Sequence, residues 1–434
     1  MSSPSNYRKN EPVIIVGAGV FGLSTALELT RRGFSNITVL DRYQAPVPDG
    51  SSVDISRIIR VEYGDELYAK MAREALAGWN TTYKSHFYPA GFAMLADKKG
   101  NMSYFNKTQE MNDRFGDTKA QLTDAAGLKA MYQNFPANLD GLLAYINPED
   151  GWADAGAAVG QLAQECSQAG VSFITGPRGR VTSLRVHNGK VVGVNVAQGG
   201  PILAAQVILS TGAWSNRLLP MSHATTASGQ SVGFVELTDE EARSLQGMPV
   251  IQNWSTGLFV FPPYPRSRTG KNLLKVVRHG FGFATHFSVE GGHRTVSSPK
   301  LDSNNATSGF LPDDAADGLR DGLRQLVPRF ANRPWFTKRM CWYSDTPEGD
   351  FIVDRHPQID GLFLAAGGAG HSFKFLPILG RYIADVYENK ASPEIRQKWR
   401  FRQPDGMPEG PKAGDGSRGG PPLRLLRPDE QAKL

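Results

Sequence analysis

The stretch from Glu11 to Arg42 reads EPVIIVGAGVFGLSTALELTRRGFSNITVLDR. It opens with an apolar run, Val13 to Val16, which is typical of a parallel strand buried on both faces. The turn Gly17-Ala18-Gly19-Val20-Phe21-Gly22 follows, and beyond it the apolar residues up to Arg32 recur with helical spacing. The stretch therefore predicts a strand, a tight turn and a helix.

The three glycines of this turn have separate roles in a dinucleotide-binding unit. Gly17 allows the sharp turn, Gly19 lets backbone N–H groups approach a pyrophosphate, and Gly22 lets the helix pack close to the strand. A second strand, Ile37 to Leu40, leads to Asp41, which stands 19 residues after Gly22, where an acid binds a ribose hydroxyl. A glycine-rich turn without a ligand would explain neither the spacing nor the acid. The sequence therefore predicts dinucleotide binding by an α/β domain.

Length and composition indicate a globular protein of two substantial domains. The 434 residues are 40% hydrophobic and 21% charged. Two cysteines, Cys166 and Cys341, argue against a disulfide framework and against a cysteine-based zinc site, so we expect no metal. Apolar runs are strand-sized and the first ten residues lack a secretory signal, so we expect no membrane association. The charge of +6 is spread along the chain, which disfavours nucleic-acid binding and favours an anionic substrate.

Two places in the chain group cations among apolar residues. Arg57 and Arg60 lie three residues apart, and on a helical turn both would point to one side. They form either a salt-bridged surface turn or a clamp for a carboxylate or phosphate. The strand from Leu273 to His279 places Lys275 and His279 on one face, which is either solvated or part of a site.

Two further strands end in turns of small residues. The strand Ile202 to Leu209 leads into Ser210-Thr211-Gly212-Ala213-Trp214, where backbone could approach the nucleotide again. The strand Leu362 to Ala366 breaks at glycines before a helix from Phe373 to Glu388. Residues 230 to 300 are rich in strands and aromatic residues, which predicts an antiparallel sheet roofing a site. Residues 1 to 10 are polar, which predicts a loose arm. From Gln403 onward Gly, Pro and charged residues dominate, which predicts a disordered or draped tail.

Three stretches together resemble the flavin-dependent amine oxidases, a family that includes monomeric sarcosine oxidase, pipecolate oxidase, fungal saccharopine oxidase and the fructosyl amino acid oxidases. They are the nucleotide unit, Ser-Thr-Gly-Ala-Trp at 210–214, and the segment from Cys341 through FIVDRHP at 351–357 to GGAGHSFKF at 367–375. The likeness spans roughly residues 11 to 390. It implies an α/β fold with a Rossmann-type FAD-binding domain and a second, antiparallel-sheet substrate domain. We expect the first to comprise residues 11–86, 148–220 and 346–392, the second 87–147 and 221–345, and a tail 393–434.

The resemblance implies roles for single residues. Cys341 matches the cysteine that holds FAD through a thioether to its 8α-methyl group. Lys275 matches the lysine that faces the flavin and promotes its reoxidation by O2. Arg60 and Lys374 match the cations that bind the substrate carboxylate, and Arg57 matches the arginine over the flavin.

The remaining matches complete the expected site. His279, Tyr63 and Tyr343 match polar groups of the substrate cavity, and His279 and Tyr343 join Lys275 and Arg57 as expected catalytic residues. The expected FAD contacts are Gly17, Gly19, Gly22, Asp41, Arg42, Ser56, Arg57, Gly212, Trp214, Cys341, Gly368, Gly370, His371, Phe373 and Lys374.

The implied function is oxidation of a secondary amine. An N-substituted or cyclic α-amino acid would give an imine, while O2 would be reduced to H2O2. The run Arg-Ile-Ile-Arg at 57–60 resembles the sarcosine and pipecolate branch, which favours a free α-carboxylate. Fructosyl amino acid oxidase and saccharopine oxidase remain alternatives. So do a flavin dehydrogenase, against which Lys275 argues, and a non-catalytic flavin-binding protein, which would leave the cations unexplained.

The residues Ala432-Lys433-Leu434 differ from the peroxisomal signal Ser-Lys-Leu by one small-for-small change. An ordinary polar terminus is the alternative. An enzyme that releases H2O2 suits the peroxisome, and the lack of a secretory signal fits folding in the cytosol first. We therefore expect a peroxisomal monomer that the import receptor recognises, and otherwise a cytoplasmic one.

Overall fold

The computed structural model describes residues 8–116, 119–288, 295–301, 308–402 and 414–434. Its nucleotide-binding part is built on a six-stranded sheet that is parallel except at one edge, where Ile352–Arg355 runs antiparallel to its neighbour. The strand order is Ile352–Arg355, Leu362–Ala366, Gln206–Leu209, Val13–Val16, Ile37–Leu40 and Ser172–Ile174.

Both faces of this sheet are covered, which is why its central strands are continuously apolar. Ile15 and Val39 point into a core formed with four helices, whereas Ile14 and Leu40 point into a core on the opposite face. The four helices are Val20–Arg31, Glu66–Trp79, Ala155–Gln168 and Leu376–Tyr387. The opposite face carries a three-stranded sheet of Val181–His187, Lys190–Val196 and Ile202–Leu203.

A ten-stranded, mostly antiparallel sheet forms the second part. Its order is Arg424–Leu425, Phe283–Ala284, Thr226–Leu237, Asn272–Arg278, Leu258–Val260, Val250–Asn253, Phe92–Asp97, Leu142–Asn147 and Gln121–Thr123, with Trp335–Asp345 also paired to Thr226–Leu237. Two smaller sheets consist of Arg57–Ile59, Gly151–Ala153 and Phe87–Tyr88, and of His286–Ser288 and Thr295–Ser297.

The other helices connect these sheets. The α-helices are Ser103–Phe115, Ala125–Met131, Ser215–Leu218, Asp239–Ser244, Arg266–Thr269, Asp313–Leu326, Pro393–Lys398 and Pro428–Ala432. Short 3₁₀ turns cover Lys84–His86, Gly176–Arg178, Gly212–Trp214, Pro328–Phe330 and Phe373–Phe375. Among the described residues, no helix has the length and apolar character needed to cross a bilayer.

The fold class predicted from the sequence is confirmed, but two local predictions are wrong. Arg57–Ile59 is a strand and not a helical turn, because it pairs with Gly151–Ala153 far along the chain. The run Ile202 to Leu209 is two strands in two sheets, Ile202–Leu203 and Gln206–Leu209. All six strands of the nucleotide-binding sheet come from the segments assigned to FAD binding. The domain boundaries themselves stay a prediction.

The described part of the tail, residues 414–434, is draped over the ten-stranded sheet. Arg424–Leu425 pairs with Phe283–Ala284 at the edge of that sheet. Leu426 and Leu434 are buried in its apolar core. Of the two predicted alternatives, disordered or draped, these residues show the draped one. Residues 403–413, and residues 1–7 of the predicted arm, lie outside the described ranges.

Candidate active site

A cavity of about 790 Å³ opens at the carboxyl ends of the parallel strands. The glycine-rich turn lies at its wall, and Gly17 has a φ of 112°, which favours glycine. A Cβ atom on Gly17 would collide with the carbonyl oxygen of Ser210, and one on Gly22 would collide with the carbonyl oxygen of Gly17. Only glycines therefore allow the turn, the helix and the neighbouring strand end to approach so closely.

The polar groups of this cavity fit a dinucleotide. Helix Val20–Arg31 begins after Gly19, and because its first residues line the cavity its positive end faces it, with the Val20 N–H donating to the Ser52 hydroxyl at 2.9 Å. Asp41 accepts a hydrogen bond of 2.8 Å from the N–H of Ala18, and its carboxylate lines the wall. The guanidinium of Arg42 lies 4.7 Å from the ring centre of Trp214. These residues could hold the phosphates, a ribose and the planar rings of FAD.

A second, much smaller cavity of about 70 Å³ adjoins the first. Four residues line both: Arg57, Tyr343, Gly370 and Phe373. Gly370 has a φ of 75°, and a Cβ atom there would collide with the Tyr343 ring, so this turn also requires glycine. A flavin ring at the shared wall would face a substrate in the small cavity.

One end of the small cavity carries cations suited to a carboxylate. The Arg60 guanidinium is buried and lies 4.8 Å from the ring centre of Tyr63 and 5.0 Å from that of Trp254. Its Nη1 atom has no hydrogen-bond partner among the described residues. A buried guanidinium N–H without a partner is costly, so this atom could bind an anion.

Lys374 lies at the same end of the cavity within a directed chain of hydrogen bonds. Its ammonium donates to the Tyr63 hydroxyl at 2.8 Å and to the His371 carbonyl oxygen at 2.9 Å. The Gly349 carbonyl oxygen, 2.7 Å from His371 Nε2, requires N–H there, so Nδ1 accepts from Tyr63 at 2.9 Å. Burial, and then the charge of Lys374, lower the pKa of His371 to about 4. Burial, and then the charge of Arg60, lower the pKa of Lys374 well below its usual value.

The opposite end of the small cavity holds Lys275. Its Nζ atom lies 2.7 Å from a carboxylate oxygen of Asp54 and donates to the Ser56 carbonyl oxygen at 2.7 Å. The Arg57 guanidinium contacts the same carboxylate at 2.5 Å and donates to Cys341 Sγ at 3.4 Å. The two cations and the thiol expected at the flavin are thus neighbours around one buried acid.

His279, the residue after strand Asn272–Arg278, also lines this cavity, together with Lys275 and Val277 of that strand. Its Nε2 atom is 3.2 Å from the Ser417 hydroxyl, which comes from the tail. Burial, and then Arg418, lower the pKa of His279 well below its usual value. A neutral imidazole is therefore present at neutral pH.

Most of the predicted site residues line one of these cavities. The larger is lined by Gly17, Gly19, Asp41, Arg42, Arg57, Gly212, Trp214, Tyr343, Gly368, Gly370 and Phe373. The smaller is lined by Arg57, Arg60, Lys275, His279, Cys341, Tyr343, Gly370, His371, Phe373 and Lys374. Three predicted residues line neither cavity. Gly22 packs on the Gly17 backbone. Ser56 accepts a hydrogen bond from Lys275, and Tyr63 accepts one from Lys374.

Sequence reasoning missed Asp54 and the tail residues Ser417 and Arg418. Asp54 stands three residues before Arg57, which is a usable signal for an ion pair. Arg418 pairs with the buried carboxylate of Asp345, although nothing in a Gly-rich tail predicts this. Within the described ranges, no group of three or more His, Cys, Asp or Glu side chains could hold a metal ion.

Comparisons with known proteins agree with this geometry. Residues 12–386 match the model of a family described as FAD dependent oxidoreductase. L-saccharopine oxidase of Schizosaccharomyces pombe is 31% identical over 413 residues, which are 91% of this chain and 93% of that protein. A monomeric sarcosine oxidase of Bacillus sp. is 27% identical, over 86% of this chain and 92% of that one.

A solved structure gives the same result for the fold. The deglycating enzyme fructosamine oxidase of Aspergillus fumigatus, Amadoriase II, superposes with a TM-score of 0.86 at 27% identity, covering 96% of each chain. The glycine-lined cavity, its helix terminus and these matches over nearly the whole length lead to one conclusion. The chain belongs to the family of FAD-dependent oxidoreductases, and it is an FAD-dependent oxidase of that family.

Proposed function

We propose that this enzyme oxidises the secondary amine of an N-substituted or cyclic α-amino acid to an imine and reduces O2 to H2O2. The unpaired Nη1 atom of the buried Arg60 carries the proposal. Arg60 and Lys374 are both buried and line the same small cavity as Lys275, so two basic side chains are available to an anion there. A free α-carboxylate is the anion of matching size and geometry.

Binding the carboxylate at this end would orient the rest of the substrate. The amine and its α-carbon would then lie between the cations and the wall shared by both cavities, which is positioning and not acid–base work. FAD, when bound at that wall, supplies the two-electron acceptor that O2 then reoxidises. Lys275 supplies a positive charge next to where negative charge develops on O2.

The relatives support a substituted nitrogen. Saccharopine, sarcosine and fructosamine, the substrates in the names of these proteins, all carry a secondary amine. Their other substituents differ greatly in size. The proposal therefore extends to the substrate class and not to one substrate.

Peroxide release from a matched panel tests this proposal. The panel comprises an N-methyl amino acid, its primary counterpart, its decarboxylated amine, pipecolate, saccharopine and a fructosyl amino acid. We expect peroxide from at least one secondary α-amino acid and much less from its primary and decarboxylated counterparts. Equal turnover of the decarboxylated amine would contradict a carboxylate site at Arg60.

We also propose that FAD is joined covalently to Cys341. The Sγ atom lies beside Arg57, one of the residues that line both cavities, so it is close to the proposed flavin position. We propose that the protein is a monomer because a relative is named monomeric sarcosine oxidase, and sedimentation velocity would measure this.

We propose further that Ala432-Lys433-Leu434 directs the protein to the peroxisome. The tripeptide differs little from Ser-Lys-Leu, and an H2O2-forming enzyme suits that organelle. The Leu434 side chain is 7% exposed, and Lys433 lies 5.5 Å from the Phe310 ring centre. An import receptor would therefore have to release this short segment before binding it.

A further inference from the structure

Asp54 is a fully buried carboxylate that contacts three cations. Its Oδ2 atom lies 2.7 Å from Lys275 Nζ and 2.5 Å from Arg57 Nη1. Its Oδ1 atom lies 3.0 Å from Arg339 Nη2. The Asp54 and Lys275 side chains are each 1% exposed, so water does not screen this group of charges.

The backbone around Asp54 is held in place. The N–H of Ile55 donates to the Asp54 carboxylate at 2.8 Å, and the N–H of Gly156 donates to the Asp54 carbonyl oxygen at 3.0 Å. The second bond fixes the residue to the start of helix Ala155–Gln168. The acid thus has a rigid support in the nucleotide-binding part, while Lys275 comes from the ten-stranded sheet.

Without this carboxylate Arg57 would keep the Ser51 carbonyl oxygen at 2.9 Å, whereas Lys275 would lose its counter-ion. Lys275 would keep the Ser56 carbonyl oxygen at 2.7 Å and the Phe261 ring at 4.7 Å. Two guanidiniums would still lie close to its ammonium, and like charges in a buried space repel strongly. The lysine would respond either by moving away or by losing its proton.

We infer that Asp54 is a positioning residue for the oxidase reaction: it holds the Lys275 ammonium beside the Arg57 guanidinium and keeps the lysine protonated. This inference rests on the proposed function, because it assigns the lysine a use. It adds a residue that acts through others, since Asp54 lines neither cavity.

The sign of the effect follows from the surroundings of the lysine. The pKa of Lys275 is lowered to about 7 in total: burial lowers it most, the Asp54 carboxylate raises it, and Arg57 lowers it. Arg339 also lowers the pKa of Lys275. The other titratable groups that line the same cavity are His279, His371, Lys374, Cys341 and Tyr343. Removing the carboxylate must therefore lower the pKa of the lysine, and removing Arg339 must raise it.

NMR titration of protein labelled with ¹⁵N at the lysine ζ nitrogens measures this directly, and Lys275→Met assigns the signal. In Asp54→Asn we expect the Lys275 midpoint to fall by about one pKa unit or more. In Arg339→Gln we expect the Lys275 midpoint to rise. This second variant can be measured even if Asp54→Asn does not fold. The control Asp354→Asn, a part-buried acid that accepts from the Phe401 N–H at 2.9 Å, should leave that midpoint unchanged. An unchanged midpoint in both test variants would overturn the inference.

Stopped-flow reoxidation separates this inference from the proposed function. We expect the pH profile of the reaction with O2 in Asp54→Asn to move to lower pH by the same increment as the NMR midpoint. Acidification would then restore the rate, which a merely structural defect would not allow. If the midpoint moves and the oxygen profile does not, Asp54 still sets the charge, but the oxygen role proposed for Lys275 is wrong.

Discussion

Arg57, Arg60, Lys275 and Lys374 surround one small cavity. Bringing so many cations out of water is costly, and the depressed pKa values of the two lysines report that cost. Asp54 balances part of the charge at one end. At the other end Arg60 keeps an unpaired N–H. Buried carboxylates also act on Arg60 and Lys374, among them Glu62, so the proposed substrate carboxylate would join charges that are already partly balanced.

Replacing Lys275 with Met should slow flavin reoxidation far more than reduction by substrate. The substitution keeps the side-chain volume but removes the cation nearest to the developing charge on O2. Loss of one such group costs about a hundredfold in rate. Stopped-flow measurement of both half-reactions decides the matter, and equal slowing of the two would reject this role.

Arg60→Ala and Lys374→Ala should each weaken binding of a carboxylate competitor. A charge-assisted hydrogen bond contributes about 1.5–3 kcal/mol, which corresponds to roughly ten- to hundredfold in Kd. Spectral titration of the flavin with the competitor measures this. Arg381→Ala, which removes a surface cation paired with Glu74, is the control and should bind normally. Normal competitor binding with loss of FAD in both test variants would assign them to the cofactor instead.

Denaturation in acid followed by filtration tests the bond to Cys341. We expect the yellow colour to stay with the wild-type protein, because a thioether survives acid. In Cys341→Ser the colour should pass through the filter and activity should fall, while Cys166→Ser, a change at the other buried thiol, should retain it. Passage of all the colour from wild type would show that the flavin is not covalent.

Elements with local signals were predicted well from sequence. The fingerprint turn, its two strands and helix Val20–Arg31 are encoded by neighbouring residues, so spacing alone identifies them. Strand Arg57–Ile59 depends on a partner more than 90 residues away, which no local pattern contains. The division of Ile202 to Leu209 likewise follows from which sheet each half joins. The tail residues Ser417 and Arg418 reach the site only through tertiary packing.

The last three residues of the tail support a prediction about where the protein is located in the cell. A fluorescent protein fused upstream of the chain should form peroxisomal puncta in a eukaryotic host, and deletion of Leu434 should make the signal diffuse. A Leu434→Ile change, which keeps an apolar side chain in the buried position, separates recognition from packing and should also reduce puncta. Diffuse signal from the intact chain would reject peroxisomal import.

At the scale of the whole molecule, two sheets contribute opposite walls of one site. The nucleotide-binding part supplies the glycine cradle, Asp54 and Lys374, while the ten-stranded sheet supplies Lys275 and His279. The glycine cradle was predicted from its own spacing and Asp54 was missed, whereas Lys275, His279 and Lys374 were assigned roles through the family resemblance. The structure adds the contacts between the site residues, above all the Asp54 carboxylate, which contacts both Lys275 and Arg57.

The absorbance of the flavin shows whether this chain oxidises secondary α-amino acids and passes the electrons to O2. The purified protein should be yellow, should bleach when a secondary amino acid such as sarcosine or pipecolate is added without air, and should regain its colour when O2 is admitted, with release of H2O2. A flavin that stays yellow with every secondary amino acid of the panel, or one that bleaches but is not reoxidised by O2, would contradict the account.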